Sequence, residues 1–451
     1  MCANVSVLAG EFPGWEDVPA MVAAIQAPLI PDRLFAVEDF GGVGDGETDD
    51  RPAIQAAIDK AAATGGGRVV LGAGKTWFSK GPVHLKSQID LHIAGGAVLR
   101  FSEDPADYLP QVLTRWEGTE LFNYSPLIYA YLATDVALSG AGTIDGNAAA
   151  VFGEWRARQR PAQQRLRRMG EEQAPVFERV FGEGDFLRPS MVQFLGCTRV
   201  LVEDVRVVDS PFWVLHFVAC DHVTVRGATV ESPRLNNDGI DIESTSNVLI
   251  EECRFVTGDD SIVIKAGRDA DGRRLARPSE RIVIRGNFME GHNALAIGSE
   301  MSGGVRHVFM EENELGDVRS PLYFKSSTYR GGMIENVRIR DIKVRSSRQP
   351  LIRFVTDYQG QTGGAYIPVF RNIHIENVEA ARVRGIFEFR GNPEEPIRGV
   401  RIRNIRVAEA DMEPDELESA LTIDPEANHL RDFVIEDVTV AGRRVRLAAQ
   451  D

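Results

Sequence analysis

From Val200 onward, short runs with alternating apolar and polar positions recur along the chain. They are VLVEDVRV at Val200, VTVRGATV at Val223, VLIEECRF at Val248, IVIRGNFM at Ile282, VFMEENEL at Val308, VRIRDIKV at Val337, IHIENVEA at Ile373, VRIRNIRV at Val400 and FVIEDVTV at Phe433. Alternation with a period of two is the signature of a strand. Successive starts lie 23 to 36 residues apart, so short strands of constant design alternate with loops of variable length. No unit is long enough to bury its own apolar face, and the units must therefore stack. A sandwich of hairpins would need turns of two to five residues between half the strands, and helical repeats would need apolar positions at 3.6-residue spacing. The pattern predicts an all-β fold: a single-domain right-handed parallel β-helix of about ten turns, with rungs ~4.8 Å apart.

Two segments depart from the strand rhythm. Asp49 and Asp50 precede Pro52 and apolar residues at Ile54, Ala57, Ile58 and Ala61, and Gly65 to Gly67 follow. These are helix start and stop signals. A helix near Ile54 to Ala63 is expected to cap the N-terminal end of the solenoid and shield its strand edges. Residues 1–30 are read as an N-terminal extension and 31–451 as the β-helix. The second segment, WRARQRPAQQRLRRMGEE from Trp155 to Glu172, is predicted to be a helical loop in an insertion near 150–187. Two readings stand for it: a solvated surface helix, or a basic wall beside an anionic ligand.

Composition narrows the function classes. The 43 glycines among 451 residues fit a chain that turns often. A formal charge of −15 argues against a nucleic-acid partner, which needs a basic face; it leaves room for a local basic cleft. Cys2, Cys197, Cys220 and Cys253 form no CxxC pair, so buried thiols are expected rather than a zinc site. No apolar run reaches ~18 residues, and no membrane partner is expected. The opening MCANVSVLAGEFPGW has no basic n-region. The chain is expected in the periplasm or outside the cell if a native signal was removed, and in the cytoplasm otherwise. Oligomeric state is not legible.

Four polar segments interrupt the apolar coils: NNDGID at Asn236–Asp241, TGDDSIVIKAGRD at Thr257–Asp269, GHNALAIGSEMSGG at Gly291–Gly304, and PLYFKSSTYRGG at Pro321–Gly332. Asp238, Asp260, His292 and Lys325 follow one another at 22, 32 and 33 residues, each about one turn. They are expected to form a ladder on one face, with Asp259 beside Asp260 on its rung. Taken singly, such residues satisfy backbone groups at corners, and clustered carboxylates can hold calcium. Together they suit glycosidic cleavage, which needs one protonated and one ionised carboxyl. Mutual repulsion raises at least one pKa, His292 can share that proton, and Lys325 can hold an anionic sugar.

These segments resemble the motifs of glycoside hydrolase family 28, the polygalacturonases. The family's Asn-Thr-Asp, Gly-Asp-Asp, Gly-His-Gly and Arg-x-Lys motifs correspond to Asn236-Asn237-Asp238, Gly258-Asp259-Asp260, Gly291-His292-Asn293 and Tyr323-Phe324-Lys325. The runs SPFW at Ser210, KAGRDADGRR at Lys265 and IGSEMSGGV at Ile297 resemble the bacterial branch with exo-acting members. The resemblance implies a pectin-lyase-like solenoid that hydrolyses α-linked galacturonic acid in a pectic poly- or oligosaccharide, with inversion and with no cofactor or metal. It implies Asp259 as general acid, Asp238 and Asp260 as activators of water, and His292 as partner of the acid. Asn236, Lys265, Tyr323, Lys325 and Arg330 are the implied substrate-binding residues. Asn293 stands where the family has glycine, Ser261 where cysteine is common, and Tyr323 where an arginine meets a substrate carboxylate. A tyrosine offers a stacking face instead of a charged fork, so a neutral or decorated sugar is expected there. The rival readings are a non-catalytic carbohydrate-binding β-helix and a calcium-dependent pectate lyase.

Overall fold

The structure, a computed structural model, describes residues 12–448. Its frame is a right-handed parallel β-helix. One sheet has ten parallel strands, beginning at Val83–Leu85 and ending at Phe387–Arg390, so the expected number of turns is met. The sequence repeats mark a second stack in strict register: Val136, Val200, Val223, Val248, Ile282, Val308, Val337, Ile373 and Val400 oppose one another rung by rung. All nine are fully buried. Each such side chain contributes about 1.5–3 kcal/mol by leaving water, and in a solenoid that gain is made only against the neighbouring rung.

The polar pair inside each repeat has a backbone cause. Asp204, Gly227, Glu252, Gly286, Glu312, Asp341, Asn377, Asn404 and Asp437 all have φ between +50° and +64°. Each of these nine repeats thus bends through the left-handed region at the same corner, where glycine, asparagine and aspartate are the least strained residues. After the bend a third stack begins, with Val207, Val230, Phe255, Met289, Leu315, Val344, Ala380 and Val407 in register.

A helix over Arg51–Ala63 covers the N-terminal end and buries Ala53, Ile54, Ala57, Ile58 and Ala61. Asp50 occupies its N-cap position, but its carboxylate does not cap the helix. It accepts hydrogen bonds from the N–H groups of Val43, Gly44 and Phe78, tying the preceding loop to the first coils. Cys197, Cys220 and Cys253 are buried free thiols; Cys2 lies outside the described residues. Among the described residues no helix is long and apolar enough to cross a membrane.

The basic segment folds as two helices, Phe152–Arg158 and Arg160–Glu171. The second is not simply solvated. Ala162 and Leu166 pack with Trp116, Leu121, Phe181, Leu187, Phe212 and Trp213 into a small separate core. Trp116 and Leu121 belong to an antiparallel hairpin, Val112–Trp116 with Thr119–Asn123. Hairpin and helix are thereby fixed against the ten-stranded sheet, beside the polar segments.

Candidate active site

In the strand Ile240–Glu243, Ile240 and Ile242 point into the core, and Asp241 and Glu243 take the alternate positions. Ile240 opposes Ile262 in the next strand. The same offset sets Asp238 beneath Asp260, and Gly239 N–H donates to the Asp260 carbonyl. Gly258 has to be glycine, because a Cβ there would strike the Arg234 backbone. This lets the chain turn tightly just before Asp259.

The expected four-residue ladder needs correction. Ile262 opposes Leu295, so Asn293 stands above Asp260 and His292 above Asp259. Ile297 opposes Phe324, which sets the Lys325 backbone beside Gly298 rather than His292. Counting residues between motifs added loop residues to rungs, and the loops differ in length. The side chains still converge. Lys325 Nζ donates to Asp260 Oδ2 at 2.9 Å, and Asn293 Nδ2 donates to Asp260 Oδ1 at 2.5 Å. His292 Nδ1 lies 3.2 Å from Asp259 Oδ1, though off the line of a well-formed hydrogen bond.

Lys265 is the hub of a buried charge cluster. Its Nζ lies 3.7 Å from Asp238 Oδ2, 3.6 Å from Asp241 Oδ1 and 3.5 Å from Glu300 Oε2, with the Trp213 ring 4.4 Å away. Glu300 also accepts from Arg268 Nη1 at 2.9 Å and faces Arg330 Nη2 at 3.6 Å. Arg330 donates to Asp269 at 2.7 Å.

The electrostatics separate the carboxyls. Burial, with Asp241 and Asp259 close by, pushes Asp238 well above the ordinary carboxylate range, and Lys265 only partly offsets this. Asp241 is likewise raised, by burial first. Burial also acts on Asp259, but its contact with His292 and the charges of Lys325 and Lys265 win, and its pKa is lowered. Glu300 is held low against its burial by Lys265, Arg268 and Arg330. Asp238 and Asp241 are thus biased toward holding a proton and Asp259 toward its charged form. Asp259 is nevertheless the most accessible of the three motif aspartates, its side chain 24% exposed against 5% for Asp238 and 2% for Asp260.

These groups surround a pocket of about 130 Å³. Asn236, Asp238, Asp259, Asp260, Lys265, Lys325 and Arg330 line it, as do Trp213, Glu300 and Tyr358. Glu117 at the hairpin tip and Arg167 from the basic helix form part of the wall. They are paired with each other at 2.7 Å. Asn236 accepts from Arg156 and Arg188 at 3.0 and 3.1 Å. The basic-wall reading of this insertion thus has a structural counterpart.

Two expected site residues do not line the pocket. His292 backs Asp259 from outside it. Tyr323 is 6% exposed, and its ring packs 4.1 Å from the Arg353 guanidinium on the adjacent rung and 5.1 Å from Lys325 Nζ. It does not offer a free stacking face to a sugar. Glu300, Arg268, Trp213, Glu117 and Tyr358 escaped the sequence reading. The first three lie within the quoted IGSEM, KAGRD and SPFW runs, whose polar and aromatic content was the available signal. Glu117 and Tyr358 come from loops that carry no pattern. Asp259, Asp260 and His292 place ligand-type atoms within 4.8 Å of one another, but Lys325 already holds one Asp260 oxygen, which weakens the set as a cation site.

Comparison with known proteins agrees with the geometry. Residues 183–393 match the model of glycosyl hydrolases family 28, and residues 34–98 match that of rhamnogalacturonase A/epimerase, pectate lyase-like. The exopolygalacturonase of Thermotoga maritima is 37% identical, with a TM-score of 0.84 over 95% of this chain and 96% of its own. A probable polygalacturonase of Vitis vinifera is 28% identical over 82% of this chain and 73% of the relative. The exo-poly-alpha-D-galacturonosidase of Dickeya chrysanthemi is 24% identical over 73% of this chain and 58% of its own.

Proposed function

This chain belongs to glycosyl hydrolases family 28, and from that premise we propose that it hydrolyses α-linked galacturonic acid from the ends of pectic chains by a single inverting displacement. The observation that carries this reading is the convergence of Asp238, Asp259 and Asp260 on one small pocket that also presents Lys265, Lys325, Arg330 and Arg167. The carboxyls supply acid and base, and the cations meet the carboxylates of an acidic sugar. Asp259, the most accessible, is the acid toward the glycosidic oxygen. Asp238 and Asp260, deeper in the pocket, act on the attacking water, and His292 partners the acid. An acid at Asp259 has to gain a proton when substrate arrives. Entry of an anionic sugar and loss of water both push a carboxyl in that direction. Tyr323 supports Arg353 and Lys325 instead of touching the sugar.

The raised pKa of Asp238 favours a second assignment, in which Asp238 is the proton donor. Leaving-group dependence separates the two. An aryl galacturonide with an acidic phenol needs little general acid catalysis, so the acid variant recovers on it and the base variants do not. Asp259→Asn and Asp260→Asn are each expected to lose ~10² or more in kcat on oligogalacturonate, with recovery on the aryl substrate for Asp259→Asn alone. Recovery of Asp238→Asn instead would transfer the acid role to Asp238. Near-normal turnover by both Asp259→Asn and Asp260→Asn would remove the hydrolytic reading. Products that absorb in the ultraviolet would replace it with elimination.

A further inference from the structure

Asn293 occupies the position that is glycine in the family's Gly-His-Gly motif, and its side chain is buried at 2% exposure. The register stacks it directly above Asp260. Its amide donates to Asp260 Oδ1 at 2.5 Å while Lys325 donates to Oδ2 at 2.9 Å, so each oxygen of this carboxylate has a fixed donor. The amide is itself oriented: Arg319 Nη1 donates to Asn293 Oδ1 at 3.4 Å. A guanidinium has only donors, so it fixes the amide oxygen on its own side and the NH₂ toward Asp260.

We propose that Asn293 is a positioning residue for the hydrolytic reaction. With Lys325 it clamps the Asp260 carboxylate in one orientation toward the attacking water, a task glycine at this position cannot perform. The proposal rests on Asp260 acting on that water. A carboxylate that is free to rotate presents its lone pairs to the water only part of the time, whereas two donors from adjacent rungs hold it still. The charged groups around Asp260 are Asp259 beside it, Asp238 and Asp241 on the rung below, Lys325 and Lys265, with His292 behind Asp259 and Arg319 behind the amide. The Asn293 amide does not titrate, so it holds its geometry at every working pH.

The test uses two variants of the full chain with Asp260→Asn as reference, assayed on oligogalacturonate. Asn293→Asp is isosteric. When the introduced carboxyl is ionised it repels Asp260 and donates nothing; when protonated it can donate as the amide does. Its kcat is expected to fall ~10-fold or more at neutral pH and to recover toward the parent as pH is lowered, with KM little changed. Asn293→Ala is expected to lose about 10-fold in kcat at all pH values. A kcat for Asn293→Ala within twofold of the parent, with Asp260→Asn inactive, overturns the role of Asn293 and leaves the hydrolytic reading standing. A pH-independent loss in Asn293→Asp also overturns it, since that is the signature of packing alone. An active Asp260→Asn instead sinks the reading beneath it.

Discussion

At the scale of single residues, the site shows stability given up for chemistry. Asp238 is buried with its pKa raised, so the folded state binds its proton more tightly than the unfolded chain. Stability contributed by this group is complete below the unfolded pKa near 3.8 and is lost as pH rises through the higher folded value. Asp238→Asn removes that loss. The variant is expected to be inactive yet more stable than the parent at pH 8, with the difference shrinking at pH 4; thermal melts at the two pH values measure it. Tyr323 shows the opposite case. It replaces the family's arginine, but Arg353 on the next rung packs its guanidinium against the ring, tied to Glu388 and Ser320. Tyr323→Arg would set two guanidiniums face to face beside Lys325. A loss of ~1–3 kcal/mol and reduced activity are expected, whereas Tyr323→Phe should keep both within about twofold and ~0.5 kcal/mol. A gain of activity on plain oligogalacturonate in Tyr323→Arg would show that this position is open to the substrate after all.

At the scale of elements, the strands and the basic helix were legible and the hairpin was not. Nine apolar-polar repeats predicted strands that stack in one register, because inward side chains and the left-handed corner impose the same short pattern on every coil. The motif aspartates were legible for the same reason, since Asp238 and Asp260 flank strands of fixed offset. His292 and Lys325 were misplaced by a few residues because the loops between motifs are not rungs. The hairpin Val112–Asn123 left no repeat to read; its stability comes from distant partners. Arg179 and Asp271 illustrate this, 92 residues apart and both 1% exposed, joined by bonds of 2.6 and 3.0 Å. Asp271 also accepts from the hairpin at Glu120 N–H, 3.2 Å away. Asp271→Asn leaves the Arg179 guanidinium buried without its counter-charge, which typically costs ~3–5 kcal/mol. A lower melting temperature is expected, together with a raised KM from the loosened wall. A melt unchanged within experimental scatter would mean that hairpin and helix are held by their apolar core alone.

At the scale of the whole molecule, the insertions decide how a polymer can enter. A bare β-helix presents an open groove along its stacked coils, which would accept the middle of a chain. Here the hairpin tip and the basic helix are packed onto the solenoid by Trp116, Phe181, Phe212 and Leu166, and the Glu117–Arg167 pair closes part of the pocket around Asp238 and Lys265. The pocket of about 130 Å³ is small beside an extended polymer. On the proposed function, a polymer presents its end to this pocket. The expected early product from polygalacturonate is the monosaccharide alone, with solution viscosity falling slowly relative to reducing ends formed. Replacing both Glu117 and Arg167 with alanine removes the closing pair while sparing the motif aspartates. This double variant should release some longer products and bind internal segments better, at the expense of kcat/KM on short oligomers. A charged hydrogen bond between wall and sugar is worth roughly 1–3 kcal/mol, or up to about a hundredfold, so its removal should be visible in the size distribution of products. A parent enzyme that lowers viscosity quickly and yields mixed oligomers from the first minutes would show that the wall yields to the polymer, and that this site cuts within chains.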